Sequence, residues 1–169
     1  FADVVLSEDD GETFLPFTGV GPGGGDDEAS QTVTMSVSVA SDDPNFSEII
    51  EVLSVDETGF TAATLPDANG EVTFTVTATD DGDGASPNVN TFSATFTATV
   101  QADNDAPTLD PIAGGTVDED SGPFDVVLNG VTPGGGADEA KQTLVITAES
   151  SHPTILPDAT VSGTTLTFE

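Results

Sequence analysis

The residues of this chain that could do chemistry are carboxylates, and they come in clusters. Glu8-Asp9-Asp10, Asp26-Asp27-Glu28, Asp42-Asp43, Asp80-Asp81-Gly82-Asp83, Asp103-Asn104-Asp105 and Glu119-Asp120 carry about half of the 31 acidic residues. Carboxylate and amide oxygens packed this densely are the ligand set of a hard divalent cation: Ca2+ takes 6–8 oxygens from Asp, Glu, Asn and backbone carbonyls. A Cys-ligated zinc or iron–sulfur site is excluded, because the chain has no cysteine. Nucleophilic catalysis finds no support either. The one histidine, His152, sits in a turn before Pro153 with no nucleophile-elbow signature anywhere. Paired carboxylates abound, but Trp, Tyr and Arg, which shape a sugar subsite, are absent. The chain is not expected to be an enzyme.

Several short matches dissolve on inspection. Asp81-Gly82-Asp83-Gly84 starts like an EF-hand loop, yet its fifth position is Ala85 and its twelfth is Phe92. Residues 21–25 are glycine-rich, but no Lys-Ser/Thr follows and no helix is expected after them, so a flexible turn is the reading. Asn45-Phe46-Ser47 fits a glycosylation sequon and nothing more. Lys141, the only basic side chain, reads as solvated.

The charge balance removes whole classes of partner. Thirty-one Asp and Glu against one Lys or Arg give a net charge of −30 over 169 residues. Nucleic acid and anionic membrane surfaces repel such a chain. No run reaches the roughly 18 apolar residues of a spanning helix, so no membrane insertion is expected. No signal peptide opens the sequence, which reads as a soluble piece of something larger or as a mature product. High charge favours disorder, but the apolar residues here alternate instead of scattering, and ten of the residues are Phe. A folded, all-β, modular protein is expected.

The elements that position these acids are repeated. Gly19-Val20-Gly21-Pro22-Gly23-Gly24-Gly25-Asp26-Asp27-Glu28-Ala29-Ser30-Gln31-Thr32 returns as Gly130-Val131-Thr132-Pro133-Gly134-Gly135-Gly136-Ala137-Asp138-Glu139-Ala140-Lys141-Gln142-Thr143. The offset is 134 − 23 = 111 residues, and it also lays Glu119-Asp120 on Glu8-Asp9 and Gly122 on Gly11. The boundaries that follow are a complete module over 1–104 and a second copy over 105–169.

Strict alternation predicts strands at Val33, Met35, Val37, Val39; at Val72, Phe74, Val76, Ala78; and at Phe92, Ala94, Phe96, Ala98, Val100. Leu144, Ile146 and Ala148 echo the first of these in the second copy. Weaker strands are expected over 13–20, 49–55 and 60–65, and in the second copy over 164–168. With turn-formers between them and no helical period, the pattern predicts a β-sandwich. The second copy lacks counterparts of the two long closing strands. Either it is cut from a longer array, or a neighbour's strand completes it, the segment beginning Phe1-Ala2-Asp3-Val4-Val5-Leu6 being the natural donor for a homopolymer.

Strands that alternate in direction gather the loops at two poles. Counting from Asp3 puts Glu8–Asp10, Asp26–Glu28, Asp67, Asn69 and 103–105 at one pole, and Asp42-Asp43 with Asp80–Asp83 at the other.

Val76-Thr77-Ala78-Thr79-Asp80-Asp81-Gly82, followed by a last strand ending in Gln101-Ala102-Asp103-Asn104-Asp105-Ala106-Pro107, resembles the Ig-like, cadherin-like tandem repeats of large bacterial surface proteins and adhesins. In that family an Ala-Thr-Asp-x-Gly strand end precedes an Asn-Asp-Ala-Pro linker, and Glu8-Asp9 and Glu119-Asp120 resemble its acidic pair at the first-strand kink. The resemblance implies an extracellular spacer at a bacterial cell surface, stiffened by Ca2+ at the junctions with neighbouring repeats. It implies as cation ligands Glu8, Asp9, Asp67, Asp80, Asp103, Asn104, Asp105 and Glu119, with Asp80 facing a preceding module and Glu119 a following one. The linker is one residue shorter than the animal cadherin pattern, and the second copy has no counterpart of Asp80.

Two function classes follow. One is a structural or adhesive spacer, part of a surface protein or fibre. The other is a metal-independent module that binds glycans or ice through its loops or a Thr-rich face. The acidity also has a plain reading, as the solvated surface of a protein in a salty medium.

Overall fold

The computed structural model describes residues 2–40, 48–84 and 89–169. Asp42, Asp43, the 45–47 sequon and Ala85 lie outside the described residues. The chain is mostly β and divides into two compact units, Phe1–Asp103 and Asn104–Glu169.

The first unit holds seven strands: β1 (Val4–Ser7), β2 (Glu12–Pro16), β3 (Val33–Ala40), β4 (Ile50–Val55), β5 (Gly59–Thr64), β6 (Gly70–Asp80) and β7 (Thr91–Gln101). They form two sheets, ordered β1-β7-β6-β3 and β2-β5-β4. The three clean alternations became β3, β6 and β7, paired antiparallel over nearly their whole length. Their inward residues are apolar, and burying each side chain contributes about 1.5–3 kcal/mol. Val72, Phe74, Val76, Phe96, Ala98 and Val100 from one sheet join Ile50, Phe60 and Ala62 from the other in a single cluster. Phe60 sits at the centre, its ring 5.2 Å from that of Phe74 and 6.2 Å from that of Phe96.

The expected strand over 13–20 is shorter, ending at Pro16. Phe17 still donates to the Thr58 carbonyl at 2.8 Å, but Gly19 turns the backbone to φ +72°, which an extended strand does not accommodate.

β1 runs parallel to β7, with Val4 opposite Ala98 and Ser7 opposite Gln101. The chain then changes sheet through residues 8–11. Asp10 Oδ2 accepts from the Ser7 amide at 2.8 Å, and Gly11 adopts φ +68°. Thr64 Oγ1 accepts from the Gly11 amide, while the Thr64 amide donates to the Gly11 carbonyl, both at 3.1 Å.

This crossing corrects one expectation. Each strand carries the chain to the other end of the unit, so residues 8–11, 65–69 and 102–103 share one end. Residues 17–32, 81–84 and 89–90 share the opposite end. Asp27 and Glu28 accordingly line a cleft with Asp80 and Asp83, not with Glu8. The physical reason is β2, which carries the chain across the unit once more before residues 17–32.

The second unit contains β8 (Phe124–Val127), β9 (Thr160–Ser162) and β10 (Thr165–Phe168), in one antiparallel sheet ordered β8-β10-β9. Shifted by 111, β8 falls on β2, so this sheet repeats β2-β5-β4. Leu128 and Leu166 are buried, and the Phe124 and Phe168 rings stack at 5.0 Å.

Two expectations fail in this unit. Residues 144–148 alternate like a strand but join no ladder, and Val145 is 84% exposed. In the first unit the equivalent β3 is held by β6, and among the described residues of the second unit nothing plays that part. A backbone with no ladder partner gains nothing from extension. A helical turn, α1 (Gly136–Glu139), also forms where no helix was expected.

Candidate functional site

Glu8 follows the last residue of β1, at the switch between sheets, and its side chain is fully buried. A buried carboxylate must be paired or hydrogen-bonded. Here Oε1 accepts from the Asp103 amide at 2.8 Å and Oε2 from Asn69 Nδ2 at 3.1 Å. Three segments therefore meet on one carboxylate: the switch, the loop between β5 and β6, and the segment leaving β7. The Glu8 backbone is tied down as well, donating to the Gln101 carbonyl at 3.0 Å and accepting from Thr64 Oγ1 at 3.1 Å.

The other sequence-predicted ligands of this unit are placed differently. Asp9 and Asp67 are exposed at the same end, Asp67 in a left-handed turn at φ +59°. Asp103 is exposed but brings its amide to Glu8. Asp80 ends β6, which separates it from the Glu8 end by about 33 Å of strand. Its Oδ1 accepts from the Gly82 amide at 2.8 Å, and the cleft beside it also takes in Asp27, Glu28, Gln31, Asp83 and Asn90.

In the second unit Glu119, aligned with Glu8, is exposed. The reason is local: the partners that bury Glu8 come from the segments around β6 and β7, and nothing in this unit's described residues replaces them. Asn104 is exposed and its Oδ1 accepts from Gln142 Nε2 at 3.1 Å, tying the start of the unit to the segment after α1. Asp105 is half-buried.

Next to Asp105 lies a residue the sequence reading did not single out. Glu139, the last residue of α1, is only 1% exposed. A carboxylate oxygen of Glu139 and one of Asp105 lie within 4.8 Å of each other. Burial pushes the Glu139 carboxyl above the usual range, a hydrogen bond and the charge of Asp138 push the same way, and a hydrogen bond from the Asp105 amide pulls it back in part. The available signal was the repeat itself, which sets an Asp-Glu pair four residues after the first glycine of a triplet in both copies, before the same spacing to Gln31 and Gln142. Composition gives no hint that the second acid of the pair turns inward.

For a hard cation the donor chemistry fits in kind. The acids are all oxygen donors, no thiol is present, and the sole histidine is exposed. In fit, the sites differ. Both oxygens of Glu8 already accept protein N–H groups, whereas Oε2 of Glu139 is buried with no hydrogen-bond partner. Comparison with family models, with characterised proteins and with solved structures gives no significant match for this chain.

Proposed function

We propose that the chain is a pair of Ig-like, cadherin-like β-sandwich modules that serve as a structural or adhesive spacer outside the cell, with Ca2+ stiffening the linkers between repeats. The strand order supports the sandwich reading. A four-strand sheet ordered β1-β7-β6-β3 and a three-strand sheet ordered β2-β5-β4, sharing one core and with β1 parallel to β7, are what a seven-strand Ig-like sandwich requires. The observation that carries the spacer reading is the bond from the Asp103 amide to Glu8. It joins the acidic switch after the first strand to Asp103, so the residue from which the acidic linker starts is hydrogen-bonded into its module. Cation binding by the linker acids would oppose the mutual repulsion of a chain at −30, which salt alone screens over about 8 Å. The ion supplies positive charge and bonds to oxygen; the protein's part is to hold carboxylates at fixed places.

The test is thermal unfolding and small-angle scattering of the full chain in Ca2+ and in EDTA. Saturation at a hundred times the dissociation constant stabilises by about 2.7 kcal/mol, so the melting temperature rises and the maximum dimension changes with Ca2+. Identical melting and scattering in the two buffers would sink this reading.

One observation favours a second reading. Three registered rows of hydroxyls cross β3, β6 and β7: Thr34, Thr79, Thr91; Ser36, Thr77, Ser93; and Ser38, Thr75, Thr95. They form a grid of about 4.8 Å by about 6.8 Å that suits ordered water or sugar hydroxyls. Activity of the EDTA-treated protein in ice-growth or glycan-array assays, lost on replacing Thr75 and Thr77 with Val, separates this from the spacer reading.

A further inference from the structure

Glu139 poses a problem that the carboxylates on the surface do not. It is 1% exposed, and its Oε2 is buried with no hydrogen-bond partner. An ionised oxygen in that state is costly unless something positive meets it. Among the described residues of this unit the surroundings supply no such group: Lys141 is exposed, and the titratable groups beside Glu139 are Asp105 and Asp138, both acids.

We propose that Glu139 is a ligand for a hard divalent cation, with Asp105 as the second carboxylate, and that the repeated Gly-Gly-Gly-x-Asp-Glu-Ala-x-Gln-Thr segment is a cation-binding turn. The choice of Ca2+ as the ion rests on the spacer reading; the assignment of Glu139 does not.

Three features support a built site. Two oxygens bound to one Ca2+ at about 2.4 Å are at most about 4.8 Å apart, and the oxygens of Asp105 and Glu139 fall within 4.8 Å. Gly134 makes that approach possible. Its φ of +141° suits glycine, and a Cβ there would stand 2.7 Å from Asp105 Cβ and 3.0 Å from Glu139 Cγ. The turn is also held from both sides. The Gln142 amide donates to the Glu139 carbonyl at 2.8 Å, and Gln142 Nε2 donates to Asn104 Oδ1 at 3.1 Å.

The first copy repeats the scaffold. Gly23, at φ +125°, lies where a Cβ would collide with the Glu28 carboxylate, and the Gln31 amide donates to the Glu28 carbonyl at 2.9 Å. No residue of this sequence aligns with Asp105 in that copy, because 105 − 111 falls before position 1. The acids around Glu28 are instead Asp27, Asp80 and Asp83.

The test is calorimetric titration of the full chain, stripped with EDTA, with Ca2+ as the probe and Mg2+ as the comparator, on wild type, Glu139→Gln and Glu139→Asp. Glu139→Gln removes the charge at constant shape. Glu139→Asp keeps the charge but withdraws it by one methylene. Both should bind Ca2+ about tenfold or more weakly and lose most of the Ca2+-induced rise in melting temperature, while the melt in EDTA stays unchanged or rises for Gln. Glu51→Gln, at an exposed acid of β4, is the control and should bind like wild type. Should Glu139→Gln fail to fold, Asp105→Asn takes its place and must show the same loss. Wild-type affinity and stoichiometry in the Glu139 variants would overturn this inference and leave the linker reading standing. No Ca2+ binding by wild type would overturn both.

Discussion

Glu8 and Glu119 occupy equivalent positions of one repeat, and their surroundings predict opposite costs for the same substitution. Glu8→Ala removes the acceptor for two donors, the Asp103 amide and Asn69 Nδ2. A hydrogen bond to a charged group contributes about 1.5–3 kcal/mol. The Asp103 amide belongs to an exposed residue and can turn to water, so its bond counts at the low end or below. Asn69 is half-buried and loses more. Removing a buried negative charge from so acidic a chain returns part of the loss. The net expectation is about 2–4 kcal/mol, a large share of the ~5–15 kcal/mol that holds a domain together. For a unit of this size that lowers the melting temperature by about 10 °C or more. Glu8→Gln keeps one acceptor oxygen and should fall between alanine and wild type. Glu119→Ala touches an exposed side chain and should stay within about 0.5 kcal/mol. Calorimetric and far-ultraviolet melts in EDTA read these differences free of any cation. Equal effects of Glu8→Ala and Glu119→Ala would refute the claim that hydrogen bonding at the sheet switch, and not the acidic motif itself, sets the cost.

Two further outcomes are expected of the first unit. Phe74→Ala removes a fully buried ring stacked on Phe96 at 5.3 Å and 19° and should cost about 3–5 kcal/mol in urea unfolding, whereas Phe92→Ala, at a ring 70% exposed, should cost almost nothing. Asp56 accepts from Thr58 Oγ1, the Thr58 amide and the Gly59 amide, and the Thr58 bonds hold its carboxyl below the ordinary value. Its contribution is thus present above the ordinary Asp range of about 3.9 and fades as pH falls through the lower folded value; Asp56→Ala should lower stability at neutral pH and flatten the acid limb of the stability curve.

The parts of the fold that were legible in the sequence are those whose pattern and partner both lie in the first unit. Val72, Phe74 and Val76 alternate with threonine, and β3 and β7 flank them to complete the ladder. Leu144, Ile146 and Ala148 carry the same pattern with nothing to pair with, and period alone says nothing about pairing. The second limit was direction. Assigning Asp26–Glu28 to an end of the unit required knowing that β2 crosses it, and a five-residue strand interrupted by Pro16 is a weak signal. The third was burial of charge. Glu8 and Glu139 are chemically ordinary acids, and what turns them inward is elsewhere: Asn69 and the Asp103 amide for one, the missing Cβ of Gly134 for the other.

The parallel pairing of β1 with β7 has a mechanical consequence. Tension applied through the two ends of the first unit pulls β1 back from Val4 and β7 forward from Gln101, so the two strands are dragged past each other along their length. In this shear geometry the whole Val4–Ser7 ladder bears load at once, and the Glu8 amide bond to the Gln101 carbonyl extends it by one more rung. A hairpin pulled from its open end would instead unzip, one bond at a time. Rupture under load is governed by the unfolding rate, and simultaneous loss of several bonds is a high barrier. The first unit is accordingly built to resist stretching at forces that would peel its β4–β5 hairpin apart, with its mechanical clamp at the strand that precedes Glu8.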